Sequence, residues 1–380
     1  MSSPADIMKA LTGVIGANDP EATVTAYLDS GFPPLNNASS SDWDDCFPVG
    51  RVIEVAGPPS SGKTAIATKA MAAAQALGGV AAFLDYERSF SLKLAPNLGL
   101  DTTPGRFVYK KPETFEDGVA MFHLMVETIR EKKLIKADAP ICVVFDSLAA
   151  MTPQSTLYDS KGKRRAPGDR NMNDNTALAR ATSNHFAGIA QIAEKYNVCV
   201  IFLNQMRTKI GVMFGDPRKT TGGDTPEFYF SQRLWLTSSK IVDEKTKEVM
   251  GMEVSGIFMK NKVSRPFVKS KWRFMFQADG TGRFDRERSL VEFLNERKLL
   301  IDVDPATGKE TKKGYFMWEG KQLSREGIAR AVEAEGDVGF NKLKALLPAK
   351  YVAPVVAEAE LDEVAATVGG NDIEDSAAAA

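Results

Sequence analysis

Four runs along the chain are apolar without a break and end in polar residues: RVIEVAG at 51–57, VAAFLDYE at 80–87, ICVVFDS at 141–147 and VCVIFLNQ at 198–205. A strand with one face in water alternates apolar and polar positions, so unbroken runs predict strands covered on both faces. The stretches between them, 63–77, 113–133 and 177–196, are compatible with helices. Strand and helix in turn predict the α/β class, with a mostly parallel central sheet between helical layers. After Gly223 the pattern changes to FYFSQRLWL (228–236), VSGIFMKNKV (254–263) and KWRFMFQ (271–277), which predict strands extending the same sheet. From about Ser289 to Pro348 follows a smaller, mainly helical module with one hairpin-like piece. Near the start, ADIMKALTGVIGA (5–17) sets Ile7, Met8, Leu11, Val14 and Ile15 on one helical face, which suits either the chain's own core or docking on another subunit. Residues 18–48, rich in Pro, Asn, Ser and Asp, predict linker and turns.

The segment MRTKIGVMFGDPRKTTGGD (206–224) fits neither period. Gly211, Gly215, Pro217, Gly222 and Gly223 break up Ile210, Val212, Met213 and Phe214, while Arg207, Lys209, Arg218 and Lys219 flank them. Such a stretch predicts a mobile loop that is both apolar and basic.

Composition narrows the class. With 380 residues, 43% hydrophobic and 26% charged, the chain has the balance of a soluble globular protein of two or three domains. It shows no run of about eighteen apolar residues and no secretory layout, so no membrane partner is expected. Cys46, Cys142 and Cys199 are well separated and read as buried, reduced thiols. Two histidines, His123 and His185, leave little with which to build a zinc site. The net charge of −1 conceals segregation: KGKRR at 161–165 is basic, whereas the chain beyond Val356 carries seven carboxylates and no Lys or Arg. That tail is expected to be acidic and poorly ordered.

GPPSSGKT (57–64) matches G-x-x-x-x-G-K-[ST] after a predicted strand and at the start of a predicted helix. Backbone N–H groups from Gly57 through Ala65 (Pro58 and Pro59 contribute none), with Ser60, Ser61 and Gly62 in the turn, would face phosphate oxygens at a helix N-terminus. Lys63 would reach the β- and γ-phosphates and Thr64 would ligate Mg²⁺. In a parallel sheet the strand ends converge on the ligand. Asp146 in VVFDS is placed to hold Mg²⁺, Glu87 in FLDYE to orient or deprotonate water, and Gln205 in FLNQ to sense the γ-phosphate. A lone strand-end acid is often just a helix cap, but three such residues behind a phosphate loop point to an ATPase with ATP and Mg²⁺ as cofactors.

Gln205 directly precedes the apolar, basic loop, so ATP binding would pull on residues 206–224. The basic residues suit a phosphate backbone and the apolar ones could wedge between bases. A second basic loop, DSKGKRRAPGDRN (159–171), leaves the same sheet edge and brings Lys161, Lys163, Arg164 and Arg165. A charge run alone is usually a solvated face; two basic loops on one edge favour DNA.

Here a resemblance becomes specific. NQMRTKIGVMFGDPRKTTGGDTPEFYFSQRL resembles the second DNA-binding loop, with the strand after it, of the bacterial RecA recombinase family. GRVIEVAGPPSSGKT resembles that family's phosphate loop, FDSLAAMTP its Walker B strand, FMKNKVSRPF its late strand with two lysines, and DSGFPPLNNA its pre-core segment. The similarity runs in order from about Val24 to Pro348.

The resemblance implies a RecA-type P-loop core at 49–288 with DNA loops at about 154–175 and 206–224. An N-terminal helix and oligomerisation linker (1–48), a small C-terminal α+β domain (289–350) and a tail (351–380) would flank it. It implies a DNA-dependent ATPase that forms helical filaments on single-stranded DNA, pairs it with homologous duplex and exchanges strands, in the cytoplasm of a bacterium or phage-infected cell. On matching positions, Glu87 would be the catalytic carboxylate, Gln205 the allosteric sensor and Asp146 the magnesium-side acid. Lys260 and Lys262 would reach the neighbouring protomer's γ-phosphate. Arg180, Ser183, Arg207, Lys209, Ile210 and Gly211 would contact DNA, and Phe228 would couple neighbours across their interface. Phe276 would lie beside adenine. Leu94 stands where the family stacks a tyrosine on adenine, and Ala187 where it has a further DNA-contacting arginine. A mediator that binds nucleotide and DNA without exchanging strands, or a helicase-type motor on the same fold, are the rival readings.

Overall fold

The computed structural model describes residues 3–15, 23–166, 169, 174–208 and 218–357. Its centre is a ten-stranded sheet: β1 Val52–Gly57, β2 Val80–Asp85, β3 Phe107–Lys110, β4 Ile141–Asp146, β5 Val198–Thr208, β6 Arg218–Thr220, β7 Gln232–Val242, β8 Val249–Asn261, β9 Lys269–Phe276 and β10 Gly282–Phe284. The order across the sheet is β10-β9-β8-β7-β1-β5-β4-β2-β3, with β6 paired to β5. The six strands from β7 to β3 are parallel, and β8, β9 and β10 extend the sheet antiparallel.

The apolar runs have the cause that the pattern implied, because β1, β2 and β4 are buried at every position, with a core on each face of the sheet. On β4, Cys142 and Val144 enter a core with Ile66, Ala70 and Met71 of helix Lys63–Ala76. Ile141, Val143 and Phe145 enter the opposite core, with Phe122 of helix Phe115–Glu131 and Phe186 and Ile189 of helix Asp174–Lys195. Thr114 caps the second of these helices and Asp117 returns the bond, the reciprocal box that fixes a helix start. The three cysteines are free and buried, and burial raises the Cys46 and Cys199 thiols.

Three local expectations change. Within 18–48, residues 18–22 lie outside the described residues, but Pro33–Ser40 is a helix and Tyr27–Leu28 pairs with Phe47–Pro48. PPLNNASS has no apolar period; burial of Leu28, Leu35 and Phe47 holds it, with Asn36 bonded to the Ser30 N–H, Asp29 and the Trp43 carbonyl. The short strand β3 was not anticipated. Phe228 and Tyr229 close a helix, Thr225–Tyr229, with Pro226 in its first turn; strand pairing starts only at Gln232.

Helices Arg286–Glu296, Arg325–Glu335 and Asp337–Lys344 and the hairpin Tyr315–Trp318/Lys321–Ser324 share their own core around Leu290, Leu294, Ile328, Val332 and Leu343. Helix Pro4–Ile15 leaves Met8 and Val14 exposed. The tail from residue 358 on lies outside the described residues. Among the described residues no helix is long and apolar enough to cross a membrane.

Candidate functional site

Strand register assembles the site. Gly57 at the end of β1 pairs with Gln205 on β5, and Asp85 at the end of β2 pairs with Asp146 on β4, so all four reach one sheet edge. The chain then turns through residues 58–62 into helix Lys63–Ala76. Glycine is required at 57, where a Cβ would lie 2.6 Å from Ser61 Oγ and 2.7 Å from the Leu236 carbonyl oxygen. It is favoured at 62, where φ is +87°. Lys63 Nζ donates to the Gly57 and Pro58 carbonyls at 2.9 and 2.8 Å, folding back over the loop. Thr64 Oγ1 donates to Asp146 Oδ2 at 3.3 Å. Glu87 Oε1 accepts from Gln205 Nε2 at 3.1 Å and from Ser147 Oγ. The structure thus brings Lys63, Thr64, Glu87, Asp146 and Gln205 together around one cavity of about 450 Å³.

Two residues beyond the sequence reading shape this edge. Asp85, fully buried, accepts the N–H of Arg88 at 2.7 Å and of Phe90 at 3.2 Å and the Tyr109 hydroxyl at 2.7 Å, fixing the turn that carries Glu87. Burial and this carboxylate push Tyr109 up to about 12. Ser147 orients Glu87 directly. Asp85 is itself the acid that ends β2 and Ser147 follows the one that ends β4, which is the only signal the sequence carries for them.

The site fits a triphosphate and a divalent cation. Ser61 Oγ is buried with no partner among the described residues. Asp146, 3% exposed, is pushed up to about 7 by burial and by Glu87 and Asp85, against the pull of Lys63 and Thr64. Burial lowers Lys63, although Asp146 and Glu87 raise it. Carboxylates gathered around one desolvated ammonium call for further positive charge. Thr64 and Asp146 are the residues that would hold Mg²⁺, and Lys63 with the loop amides the phosphates.

This electrostatic arrangement predicts a pH dependence. A folded-state Asp146 raised from 3.8 to about 7 favours the fold when protonated. Stability of the ligand-free protein should therefore fall as pH rises from about 4 through 7, by on the order of 2–4 kcal/mol, and level off above. Asp146→Asn should remove that part of the decline in thermal melts taken across this range. A decline identical in the variant would contradict it.

The chain matches the model of the RecA N-terminal domain over residues 17–281. It is 32% identical to Protein RecA of Azoarcus sp. strain BH72, over 82% of this chain and 84% of that one. Protein RecA of Allochromatium vinosum is 32% identical over 76% of each chain, and that of Mycolicibacterium smegmatis 32% over 84% and 82%. The chain belongs to the RecA family.

In this RecA-family core, β5 runs without interruption from Val198 past Gln205 to Thr208, and β6 returns antiparallel with Met206 opposite Thr220. Lys209, Ile210 and Gly211 lie outside the described residues, and Arg207 is described by its backbone alone. A buried polar network ties both ends of this segment to the sheet. Glu54, fully buried on β1, accepts from Arg233 Nε at 2.6 Å and Asn204 Nδ2 at 2.9 Å. Asn204 also donates to the Thr221 carbonyl at 3.0 Å, and Arg233 to Thr220 at 3.1 Å. Removing Arg233 would strand a buried carboxylate, at about 3–5 kcal/mol. Thr182 Oγ1 donates to the Gly222 carbonyl at 2.8 Å, joining the returning chain to the helix that bears Arg180 and Ser183 on its exposed side.

The first basic loop divides its charges. Tyr158 and Arg164 pair across a hairpin, and both bind Glu113. Arg165 forms an ion pair with Asp174 at 3.0 Å, the two side chains largely buried. Arg164 and Arg165 therefore build the loop. Lys161 and Lys163 are exposed at its tip, their N–H groups on Asp159 Oδ1 at 2.8 and 2.9 Å, and they have no carboxylate partner among the described residues.

Lys260 on β8 and Lys262, just past its end, do not line their own chain's cavity. Lys260 Nζ donates to the Glu227 carbonyl, and Lys262 Nζ to the Phe228 carbonyl at 3.2 Å. Phe228 is 73% exposed. This cationic, apolar patch lies apart from the nucleotide cavity.

Proposed function

We propose that the protein is a DNA-dependent ATPase and strand-exchange recombinase that acts as a helical filament on single-stranded DNA and pairs it with homologous duplex. The observation that carries this is the hydrogen bond between Gln205 and Glu87: the residue beside the catalytic carboxylate stands on the strand that leads directly into residues 206–224. Glu87, held by Ser147 and Gln205, orients the attacking water and takes its proton. Thr64 and Asp146 would hold Mg²⁺, which would supply positive charge against the phosphates. Gln205 exchanges its bond with Glu87 for one to the γ-phosphate and so changes the start of the DNA loop. Arg180, Ser183, Arg207, Lys209, Lys161 and Lys163 take phosphates, and Ile210 wedges between bases.

The patch of Lys260, Lys262 and Phe228 suits a neighbouring protomer's nucleotide, which makes hydrolysis depend on assembly. A second feature supports assembly. β3 is the last strand on its side of the sheet, and beside it lies an apolar hollow of about 410 Å³ with Leu124 and Leu134 exposed. Helix Pro4–Ile15 of another copy is the occupant this reading assigns to it.

Electron microscopy with single-stranded DNA and a slowly hydrolysed ATP analogue tests the proposal. Helical filaments that disappear when ADP replaces the analogue are expected. Closed rings with directional unwinding would favour the motor reading, and single protomers on DNA would remove the filament.

A further inference from the structure

The cavity has two chemically distinct ends. Its polar groups, Ser60, Ser61, Lys63, Thr64, Glu87, Asp146 and Gln205, belong to the phosphate loop and the strand ends. The remaining lining is apolar: Leu94, Met252, Phe274, Phe276 and Phe284 with their neighbours on β8 and β9. Phe276 is 47% exposed, so its ring offers a face to an incoming base. Phe274 meets both Phe276 and Phe284 edge-on, at 6.3 and 5.2 Å between centroids, which holds that wall rigid.

The polar side chains that flank Leu94 and Phe276 in the sequence bond to one another or to nearby backbone. Lys93 Nζ donates to the Asp279 carbonyl at 2.8 Å and Asn97 Nδ2 to Thr281 Oγ1 at 2.7 Å. Thr281 in turn bonds Asp279, and Ser91 Oγ accepts the Leu94 N–H at 3.1 Å. None of these side chains lines the cavity among the described residues.

We propose that the base pocket recognises a purine by its face and not by its edge, so that the enzyme accepts ATP and GTP alike. This rests on the reading of the cavity as a nucleoside triphosphate site. A site built to hydrogen-bond a particular group rejects an analogue lacking it by several orders of magnitude. An apolar wall has no such group to leave unpaired, and adenine and guanine present almost equal ring area to it. A pyrimidine offers less, so UTP should be used less well than either.

The test measures kcat/KM of the full chain for ATP and GTP with single-stranded DNA, together with binding of each nucleotide by calorimetry. Values within about tenfold of each other are expected; a larger preference for ATP overturns the inference. Phe276→Ala should weaken both nucleotides by a similar factor, and a loss confined to ATP would show that the ring takes part in reading the base edge. If ATP is bound and turned over while GTP is refused, this inference fails and the nucleotide site stands. If neither nucleotide binds, the nucleotide reading itself fails.

Discussion

Replacing Lys63 by alanine should lower DNA-stimulated ATP hydrolysis by on the order of 10²–10³-fold or more. Lys63 is the cation that lines the nucleotide cavity among the described residues, and it faces Asp146 and Glu87. Its ammonium is already desolvated and turned onto the Gly57 and Pro58 carbonyls, so a phosphate can take it without opening a solvated surface ion pair. Charge that builds on the transferring phosphoryl group would lose its fixed counter-charge. The fold should survive, because burial disfavours the charged ammonium and alanine suits a first helical turn. Circular dichroism with a thermal melt separates the two effects. Hydrolysis within tenfold of the parent, in a folded variant, would mean that the loop is not where the chemistry occurs.

The second large effect concerns Lys260 and Lys262. With both replaced by alanine, ATP should still bind, since neither side chain lines the cavity of its own chain. Hydrolysis in the presence of DNA should fall by about 10³-fold, the scale of a cation supplied from a neighbour in phosphoryl transfer. Mixing decides the geometry. Combined with Lys63→Ala protomers, the double variant should recover measurable activity. Its own Lys63 would then act with Lys260 and Lys262 of the adjacent copy. If the lysines acted within one chain, two inactive variants would remain inactive together. The exposed Phe228 beside them predicts that Phe228→Ala lowers the recovered activity by weakening contact between copies.

Both expectations draw on a site that was partly legible before any coordinates. The sheet was legible because strands buried on both faces are apolar along almost their whole length, and β1, β2, β4 and the first half of β5 are so apart from Glu54 and the polar residues at their ends. The nucleotide end was legible because a phosphate loop restricts its residues: the close approach at Gly57 excludes a Cβ and the positive φ at Gly62 favours glycine. Helix Pro33–Ser40 was missed because its residues carry no period and its stability comes from long-range burial and the side-chain bonds of Asn36. The division of KGKRR was missed for a related reason. Four cations within five residues look alike until Glu113 and Asp174, 51 positions before Arg164 and 9 positions after Arg165, take two of them as structural partners.

The alternation of strand and helix along the chain, the class of fold and the phosphate loop were written in local pattern, since each follows from the identity and spacing of residues within a short window. The pairing of Gln205 with Glu87, the seat of Glu54 beneath Arg233, the bond of Asn97 to Thr281 and the turning of Lys260 and Lys262 away from their own cavity arise between residues far apart in the chain. Such contacts depend on register and burial, which exist only once the sheet has closed around its two cores.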